Sequence, residues 1–262
     1  MPPLSMQRLT IAPEQLTPPH IHLTTAQHHY LCRVLRLRVG DRFIAMDGGG
    51  HWWLAALTEA PLQAVVLEAM HAHNELPRPV ILLIAMPKGG GMDDLLPQVT
   101  ELGVAEIVPV VSDRTLLKPS PQKVERWQRI VREAAEQSER QHIPIVHPPQ
   151  PLMDALKRWR GEASPMSDAT DCLPPTSPAS CYICTERGVS RHLLGVLLTQ
   201  HSATPAAPIV IATGPEGGWT EAEVAGAIAL GFQPVTLGRR ILRAVTAPVV
   251  ALSLVTAVLE QD

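Results

Sequence analysis

Residues 209–224, IVIATGPEGGWTEAEV, have the composition of a ligand-binding loop. The apolar run 209–212 breaks into Gly-Pro-Glu-Gly-Gly, and Thr220 and Glu223 then have the spacing of a capping box that begins a helix. Glycines between the end of a buried strand and a helix N-terminus expose backbone N–H and C=O groups to a ligand. The alternative is a tight strand-to-helix turn that binds nothing.

The usual nucleotide-binding loops do not match this segment. It contains no GxGxxG and no Lys-Ser/Thr pair of a P-loop. The other glycine run, KGGG at 88–91, has its lysine before the glycines. A dinucleotide or nucleoside triphosphate site is therefore not indicated.

A second segment, residues 237–255, is rich in arginine. Arg239, Arg240 and Arg243 follow Gly238 at the predicted end of a strand, and we expect Thr246 to cap the helix that comes next. Three cations beside a glycine turn favour an anionic partner, although a solvated helix face is the simpler alternative.

A third segment, residues 28–42, makes the N-terminal part locally basic. The whole chain has a formal charge of −3, and six Arg/Lys balance six Asp/Glu across residues 1–79. Nucleic-acid contact therefore needs a local patch. The predicted RNA-binding residues are His29, Arg33, Arg36 and Arg38; a solvated helix face is again the alternative.

The four cysteines do not form a disulfide framework in a chain of 262 residues. Cys181 and Cys184 form a CxxC motif, which is compatible with a redox or metal role. Their surroundings, SCYICTE, predict a strand, on which residues three apart face opposite sides. We expect buried core cysteines and no metal.

The order of elements predicts two domains. Residues 1–75 predict a small β-rich unit with a hairpin at 47–50 and a short helix over 25–37, and residues 75–79 form a linker. From Val80 onward, apolar runs alternate with helical patterns, which is typical of an α/β domain with a parallel sheet. We expect 161–180, rich in Ser, Pro and Ala, to be a flexible insertion. The N-terminus does not resemble a signal peptide and no run is long enough to span a membrane, so we expect a cytoplasmic protein.

Five segments together resemble the RsmE family of 16S ribosomal RNA (uracil-N3)-methyltransferases, within the SPOUT superfamily. They are HHYLCRVLRLRVGD, KGGGMDDLLPQVTELGVAEIVPVVSDRT, ERWQRIVREAAEQSERQHIPIV, GPEGGWTEAEV and LGRRILRAVTA, in the order of the family. The resemblance implies a PUA-like β-barrel over 1–75 and a SPOUT domain over 80–262 with a C-terminal trefoil knot. It also implies S-adenosylmethionine as cofactor, 16S ribosomal RNA of the small subunit as partner and a homodimer. The apolar helix 248–259 is a candidate dimer interface, and burial in the core is the alternative for it.

The resemblance assigns residues by motif. The implied cofactor-binding residues are Thr185, Glu186, Thr213, Gly214, Gly217, Leu237, Gly238, Ile241 and Leu242. Two positions depart from the family pattern: Ala244-Val245 replace a Thr-Glu pair, and Val99 stands where a lysine is usual. The missing carboxylate at 245 leaves two alternatives, a non-catalytic RNA-binding or ribosome-assembly protein on the same scaffold, and a SPOUT enzyme for another RNA site.

Methylation of uracil N3 requires loss of its proton, which a base or a cation near O2 or O4 assists. Arg243 is the first candidate for this role, and Arg140 and Glu101 are weaker ones. Glu216 is expected to hold its own loop through backbone N–H groups.

Overall fold

The computed structural model describes residues 6–71, 74–115, 119–160, 179–186, 190–200 and 207–261. Its contacts divide the chain into two units, one of residues 1–75 and 132–143 and one of residues 76–131 and 144–262. Most of the predicted insertion, 161–178, lies outside the described residues. Ser180 does not belong to an insertion, because it begins a strand of the second unit.

The first unit contains a six-stranded sheet in the order β1-β4-β5-β6-β3-β2. Only the β1–β4 pair is parallel. The predicted hairpin is confirmed, with β4 and β5 paired on either side of residues 47–50. The Asp47 carboxylate closes this turn by accepting the N–H groups of Gly49 at 2.8 Å and His51 at 3.0 Å. The strands are β1 (Arg8–Thr10), β2 (Leu16–Thr17), β3 (His20–His22), β4 (Arg42–Met46), β5 (Trp52–Leu57) and β6 (Gln63–Met70).

The short helix predicted over 25–37 is present but irregular. Helix α1 (Thr25–His29) is capped by the Thr24 hydroxyl, which accepts from the Gln27 N–H, and continues as a π-helical turn over Tyr30–Val34. Arg36 then adopts a left-handed φ of 61° that ends the helix.

Successive side chains of β4 and β5 point to opposite sides of the sheet, and both sides are apolar. Phe43, Ala45 and Ala55 point into the main core, whereas Ile44 and Trp52 belong to a smaller cluster. The sheet is therefore buried on both sides at its centre.

The second unit is a parallel sheet of eight strands, as the alternating pattern predicts. Its order is β10-β8-β7-β13-β11-β14-β12, with β9 also paired to β8. The strands are β7 (Val80–Ala85), β8 (Glu106–Val111), β9 (Ile145–Val146), β10 (Gln150–Pro151), β11 (Ser180–Cys184), β12 (Arg191–His192), β13 (Ile209–Thr213) and β14 (Gln233–Thr236).

Helices pack on this sheet and bury the apolar strands. Helices α4 and α6 contact each other, and α7 contacts α2, α5 and the central strands β7 and β13. No helix in the described part of the chain is both long and apolar enough to cross a bilayer. The helices of this unit are α2 (Gly91–Glu101), α4 (Leu152–Arg160), α5 (Leu193–Gln200), α6 (Glu221–Ala229) and α7 (Thr246–Leu259). Helix α3 (Pro121–Gln137) has residues 121–131 in this unit and residues 132–137 in the first.

The ends of two helices test the predicted caps. The helical pattern MDDLLPQVTELG predicts a helix that ends at Gly103, and Gly103 closes α2 with a φ of +90°. The predicted cap at Thr246 is wrong, because Val245 occupies the N-cap position and no side chain caps α7. The Arg243 carbonyl instead accepts from Thr246 N–H at 2.9 Å and Ala247 N–H at 3.0 Å.

The strand order brings late parts of the chain to the centre of the sheet. Strand β13 lies between β7 and β11, and β14 lies on the other side of β11. Because all are parallel, the carboxyl ends of β11, β13 and β14 meet at one edge, where ligands of open α/β sheets bind.

Candidate active site

A cavity of about 660 Å³ opens at this edge of the second unit. Its size is that of a pocket for a cofactor-sized ligand. The loops after β11, β13 and β14 line it together with α6 and the start of α7. Eight of the nine residues predicted to bind the cofactor line this cavity: Thr185, Glu186, Gly214, Gly217, Leu237, Gly238, Ile241 and Leu242.

The ninth residue, Thr213, ends strand β13 and is completely buried. Its hydroxyl oxygen has no hydrogen-bond partner among the described residues. A buried polar atom without a partner costs about 1–3 kcal/mol, and nearly all such atoms in native proteins have a partner. Thr213 is thus a polar group available at the end of the central strand.

The glycines of the β13 loop serve different purposes. Gly218 has a φ of +68°, and a Cβ there would lie 2.6 Å from Glu186 Oε1. Gly214 lies beneath Trp219, whose ring atoms would be 3.3 Å from an added Cβ. Trp219 in turn donates from Nε1 to the Cys184 carbonyl at 3.1 Å, which joins the loops after β13 and β11.

The glycine of the β14 loop is constrained by its backbone alone. Gly238 has a φ of +124°, with nothing within 4 Å of the position of a Cβ. A side chain is therefore excluded there by conformation and not by crowding.

Glu216 connects two loops instead of holding its own. Its Oε1 accepts the Lys88 N–H at 2.8 Å, so the prediction that it binds backbone groups of the 214–218 loop is wrong. Lys88 belongs to the KGGG segment after β7. The contact fixes that segment against the rim of the cavity.

The predicted capping box at Thr220 and Glu223 is confirmed. The Glu223 carboxylate, which is 6% exposed, also accepts the Asp113 N–H at 2.9 Å. Glu223 therefore binds the loop after β8 as well as the first turn of α6.

The sequence interpretation missed Arg114, which lies in the loop after β8 and lines the cavity. Its Nη1 donates to the Gly217 carbonyl, and its Cδ would lie 3.2 Å from a Cβ at Gly217. The available signal was the polar segment SDRT directly after the apolar run of β8, because such positions lie at the ligand edge of a parallel sheet.

The three residues predicted to be catalytic lie in different places. Arg243 is exposed and Arg240, not Arg243, lines the cavity. Arg140 belongs to the first unit, is 4% exposed and donates to Glu75 Oε2 at 2.6 Å. Glu101 is the last residue of α2 and therefore lies at the end of that helix remote from the carboxyl edge of the strands. None of these three residues lines the cavity.

The similarity of this chain to known proteins matches these observations. A family model described as an RNA methyltransferase domain matches residues 74–256, and one described as an RNA methyltransferase PUA domain matches residues 23–69. A ribosomal RNA small subunit methyltransferase E of Synechocystis is 50% identical over 254 residues, which are 97% of this chain and 78% of that protein.

The chain belongs to the ribosomal RNA small subunit methyltransferase E family. A Bacillus subtilis member is 29% identical, over 91% of this chain and 90% of that protein. The crystal structure of a Neisseria gonorrhoeae member bound to S-adenosyl methionine has a TM-score of 0.80 and 32% identity, and the match covers 97% of this chain and 98% of that one. The fold predicted from the resemblance, a SPOUT-type parallel sheet with an N-terminal PUA-like domain, is confirmed.

The two departures from the pattern of this methyltransferase family occupy apolar surroundings. Val99 is fully buried on α2. Val245 lies beside the start of α2, with Cγ1 2.9 Å from the position of a Cβ at Gly91. Both valines therefore contribute to packing, and the absence of a Cβ at Gly91 provides the space for Val245.

The two cysteines of the CxxC motif lie in different surroundings. Cys181 is buried in the core, as predicted, whereas Cys184 is partly buried and lines the cavity. Burial raises the pKa of both thiols, that of Cys184 to about 12. Among the described residues no three His, Cys, Asp or Glu side chains gather as metal ligands.

The four residues predicted to bind RNA are all exposed in the first unit. His29 ends α1, Arg33 lies in the π-helical turn, and Arg36 and Arg38 follow it. Tyr30, 38% exposed, lies among them. The segment forms a cationic surface with an aromatic side chain.

Proposed function

We propose that this protein methylates N3 of a uridine in 16S ribosomal RNA of the small ribosomal subunit, with S-adenosylmethionine as the methyl donor. The observation that carries the proposal is the cavity at the carboxyl ends of β11, β13 and β14, lined by eight residues of the family's cofactor motifs. Membership of the methyltransferase family and the bound cofactor in the Neisseria relative support the same donor.

The residues of the cavity fit this cofactor. Its adenosine and amino-acid parts offer polar atoms to backbone groups, and the glycines 214, 217, 218 and 238 of the cavity wall have no side chain to cover those groups. Glu186 places a carboxylate on the cavity wall, which suits a ligand with ammonium and sulfonium cations. Thr213 does not line the cavity, but its unpartnered hydroxyl belongs to the residue before Gly214 of the cavity wall and is the ninth proposed contact. When bound, the cofactor supplies an electrophilic methyl group.

The substrate must present its Watson–Crick edge. N3 of uracil is paired in a duplex, so the target uridine has to be unpaired or displaced from its stack to react. It must also lose the N3 proton, because the methyl group forms a bond with the electron pair at that nitrogen.

The first unit provides RNA contacts. His29, Arg33, Arg36 and Arg38 lie on one exposed segment, and such cations bind phosphates whatever the total charge of the protein. Neutralisation of these side chains is expected to weaken RNA binding and to reduce its dependence on salt.

A homodimer completes the proposal. Helix α7 leaves Val249, Val250 and Leu254 partly exposed, and Leu198 of the neighbouring α5 is 52% exposed. An apolar surface of this kind suits a second copy of the chain. The trefoil knot, implied by the resemblance, and the cytoplasmic location expected from the sequence belong to the same proposal.

The test is mass spectrometry of 16S RNA nucleosides. Small subunits from a strain without the endogenous enzyme are incubated with the purified protein and S-adenosylmethionine. We expect one 3-methyluridine per subunit at a single position. No 3-methyluridine would contradict the assignment, and methylation of a different base would favour a SPOUT enzyme with another target.

A further inference from the structure

Two cationic residues of the described chain line the cavity, Arg114 and Arg240. We propose that Arg114 is a further catalytic residue, whose guanidinium stabilises the negative charge that uracil acquires when N3 loses its proton. This role rests on the function proposed above. It transfers to Arg114 the task that the sequence suggested for Arg243.

The loop that carries Arg114 is fixed at both ends of residues 112–115. Thr115 Oγ1 accepts the Ser112 N–H at 3.1 Å and lies 2.7 Å from Ser112 Oγ. Asp113 donates its N–H to the buried Glu223 and accepts from Thr220 Oγ1 at 3.3 Å. The position of Arg114 is therefore set by the start of α6, which also lines the cavity.

The Arg114 side chain itself is held against the predicted cofactor loop. Its Nη1 donates to the Gly217 carbonyl, and its stem lies over the Gly217 Cα, where a Cβ would be crowded. A guanidinium has five N–H donors and stays charged at every pH at which proteins are folded. No hydrogen bond from the other guanidinium donors to a described residue is seen, so they are available to planar oxygen acceptors such as O2 or O4 of uracil.

The charges around the cavity allow this role. Glu186 and Glu221 are the acidic residues that line it in the described chain, whereas Asp113, the residue before Arg114, and its hydrogen-bond partner Glu223 do not line it. Arg240 comes from the β14 loop. Arg114 is thus the cation anchored between the cofactor loop and α6.

The chemistry needs such a cation. The N3 proton leaves to solvent, and the electron pair left on N3 is delocalised onto O2 and O4. That pair forms the bond from N3 to the methyl carbon, while the electron pair of the breaking carbon–sulfur bond stays on sulfur. One proton is released per transfer. A fixed cation near a carbonyl oxygen lowers the energy of the anion before the bond forms.

The test uses the full-length protein with small ribosomal subunits, in Arg114→Gln and Arg114→Lys variants. We expect Arg114→Gln to lower the single-turnover rate at pH 7 by about 100-fold, as for loss of one anion-stabilising donor. Its rate should rise with pH where the wild-type rate has levelled off, because solvent hydroxide then supplies the anion. Arg114→Lys should retain an intermediate rate. Lys157→Gln on the exposed face of α4 is the control.

Two further measurements distinguish catalysis from positioning. Calorimetry should show S-adenosylmethionine binding within about threefold of wild type in Arg114→Gln. The N3 proton of 5-fluorouridine is more acidic than that of uridine. RNA with 5-fluorouridine at the target position should therefore raise the single-turnover rate of Arg114→Gln by a larger factor than that of the wild type.

Three results would overturn the role of Arg114. Cofactor affinity that falls in parallel with the rate would make Arg114 a structural clamp of the Gly217 loop. Weaker RNA binding with an unchanged pH profile would make it a phosphate contact. A variant as active as the wild type would remove the role altogether, whereas an inactive wild type would instead refute the proposed function.

Discussion

Glu223 accepts a hydrogen bond from the Asp113 N–H at 2.9 Å, across 110 positions of the sequence. The same carboxylate accepts from Thr220 N–H at 2.8 Å. One buried side chain thus caps α6 and fixes the loop after β8, which carries Arg114. The rim of the cavity depends on this carboxylate.

Replacement of Glu223 by Ala should lower the free energy of unfolding by about 1–3 kcal/mol, because the Asp113 and Thr220 N–H groups lose their acceptor. Urea unfolding followed by circular dichroism measures the change. Glu125→Ala, on an exposed face of α3, should remain within about 0.5 kcal/mol of wild type. Equal effects of the two substitutions would contradict the bracing role of Glu223.

Replacement of Glu216 by Ala should weaken S-adenosylmethionine binding by about 3- to 10-fold, since one charge-assisted hydrogen bond between the β7 and β13 loops is lost. Glu216→Gln keeps a side-chain oxygen that can accept from the Lys88 N–H, so this variant should bind S-adenosylmethionine more tightly than Glu216→Ala. Titration calorimetry gives both values. If Ala and Gln weaken binding equally, the charge of Glu216 and not its contact with Lys88 N–H is responsible.

Two glycine-to-alanine substitutions should have opposite effects. Gly218→Ala places a residue with a Cβ at a left-handed φ and crowds Glu186. We therefore expect the free energy of unfolding to fall by about 1–2 kcal/mol and cofactor binding to weaken. Gly195→Ala, at an exposed position of helix α5 with open space around it, should raise the free energy of unfolding by about 0.5–1 kcal/mol. Thermal unfolding compares them. Stabilisation by Gly218→Ala would show that the loop does not need glycine.

The Cys184 thiol should resist alkylation at pH 8.5, because burial raises its pKa to about 12 and keeps it protonated. Peptide-resolved mass spectrometry after iodoacetamide treatment should show Cys32 modified first, and the cofactor should slow Cys184 further. Rapid labelling of Cys184 would contradict its burial.

The same pKa shift predicts the direction of an alkaline effect. The folded protein favours the protonated Cys184 thiol. The contribution of this thiol to the free energy of unfolding is therefore fully present below the ordinary thiol pKa of 9.0 and is lost as the pH rises toward the folded-state pKa of about 12. Cys184→Ala should lose less stability than wild type between pH 9 and pH 11. A larger loss in the variant would show the opposite linkage.

Local patterns were sufficient to predict much of this fold. The unbroken apolar run of β7, the capping box of Thr220 and Glu223 and the C-terminal Gly103 of α2 all act within a few residues. Such interactions can be identified from spacing alone. The parallel sheet followed because strands alternate with helices.

Contacts between distant segments could not be predicted in the same way. Glu216 binds Lys88 across 128 positions, and Arg114 reaches Gly217 across 103. Spacing does not reveal such pairs, because the strand order decides which loops meet. The cap at Val245 was missed for a related reason: Thr246 has the favoured side chain, but the Arg243 carbonyl begins the hydrogen-bond pattern of α7.

The most direct test of the central claim is a crystal structure of this protein with S-adenosylmethionine. We predict one cofactor molecule in the cavity between the loops after β11, β13 and β14, with backbone contacts at 214–218 and 237–242 and a hydrogen bond to Thr213 Oγ1. A cofactor bound elsewhere, or an empty cavity at saturating cofactor, would contradict the account.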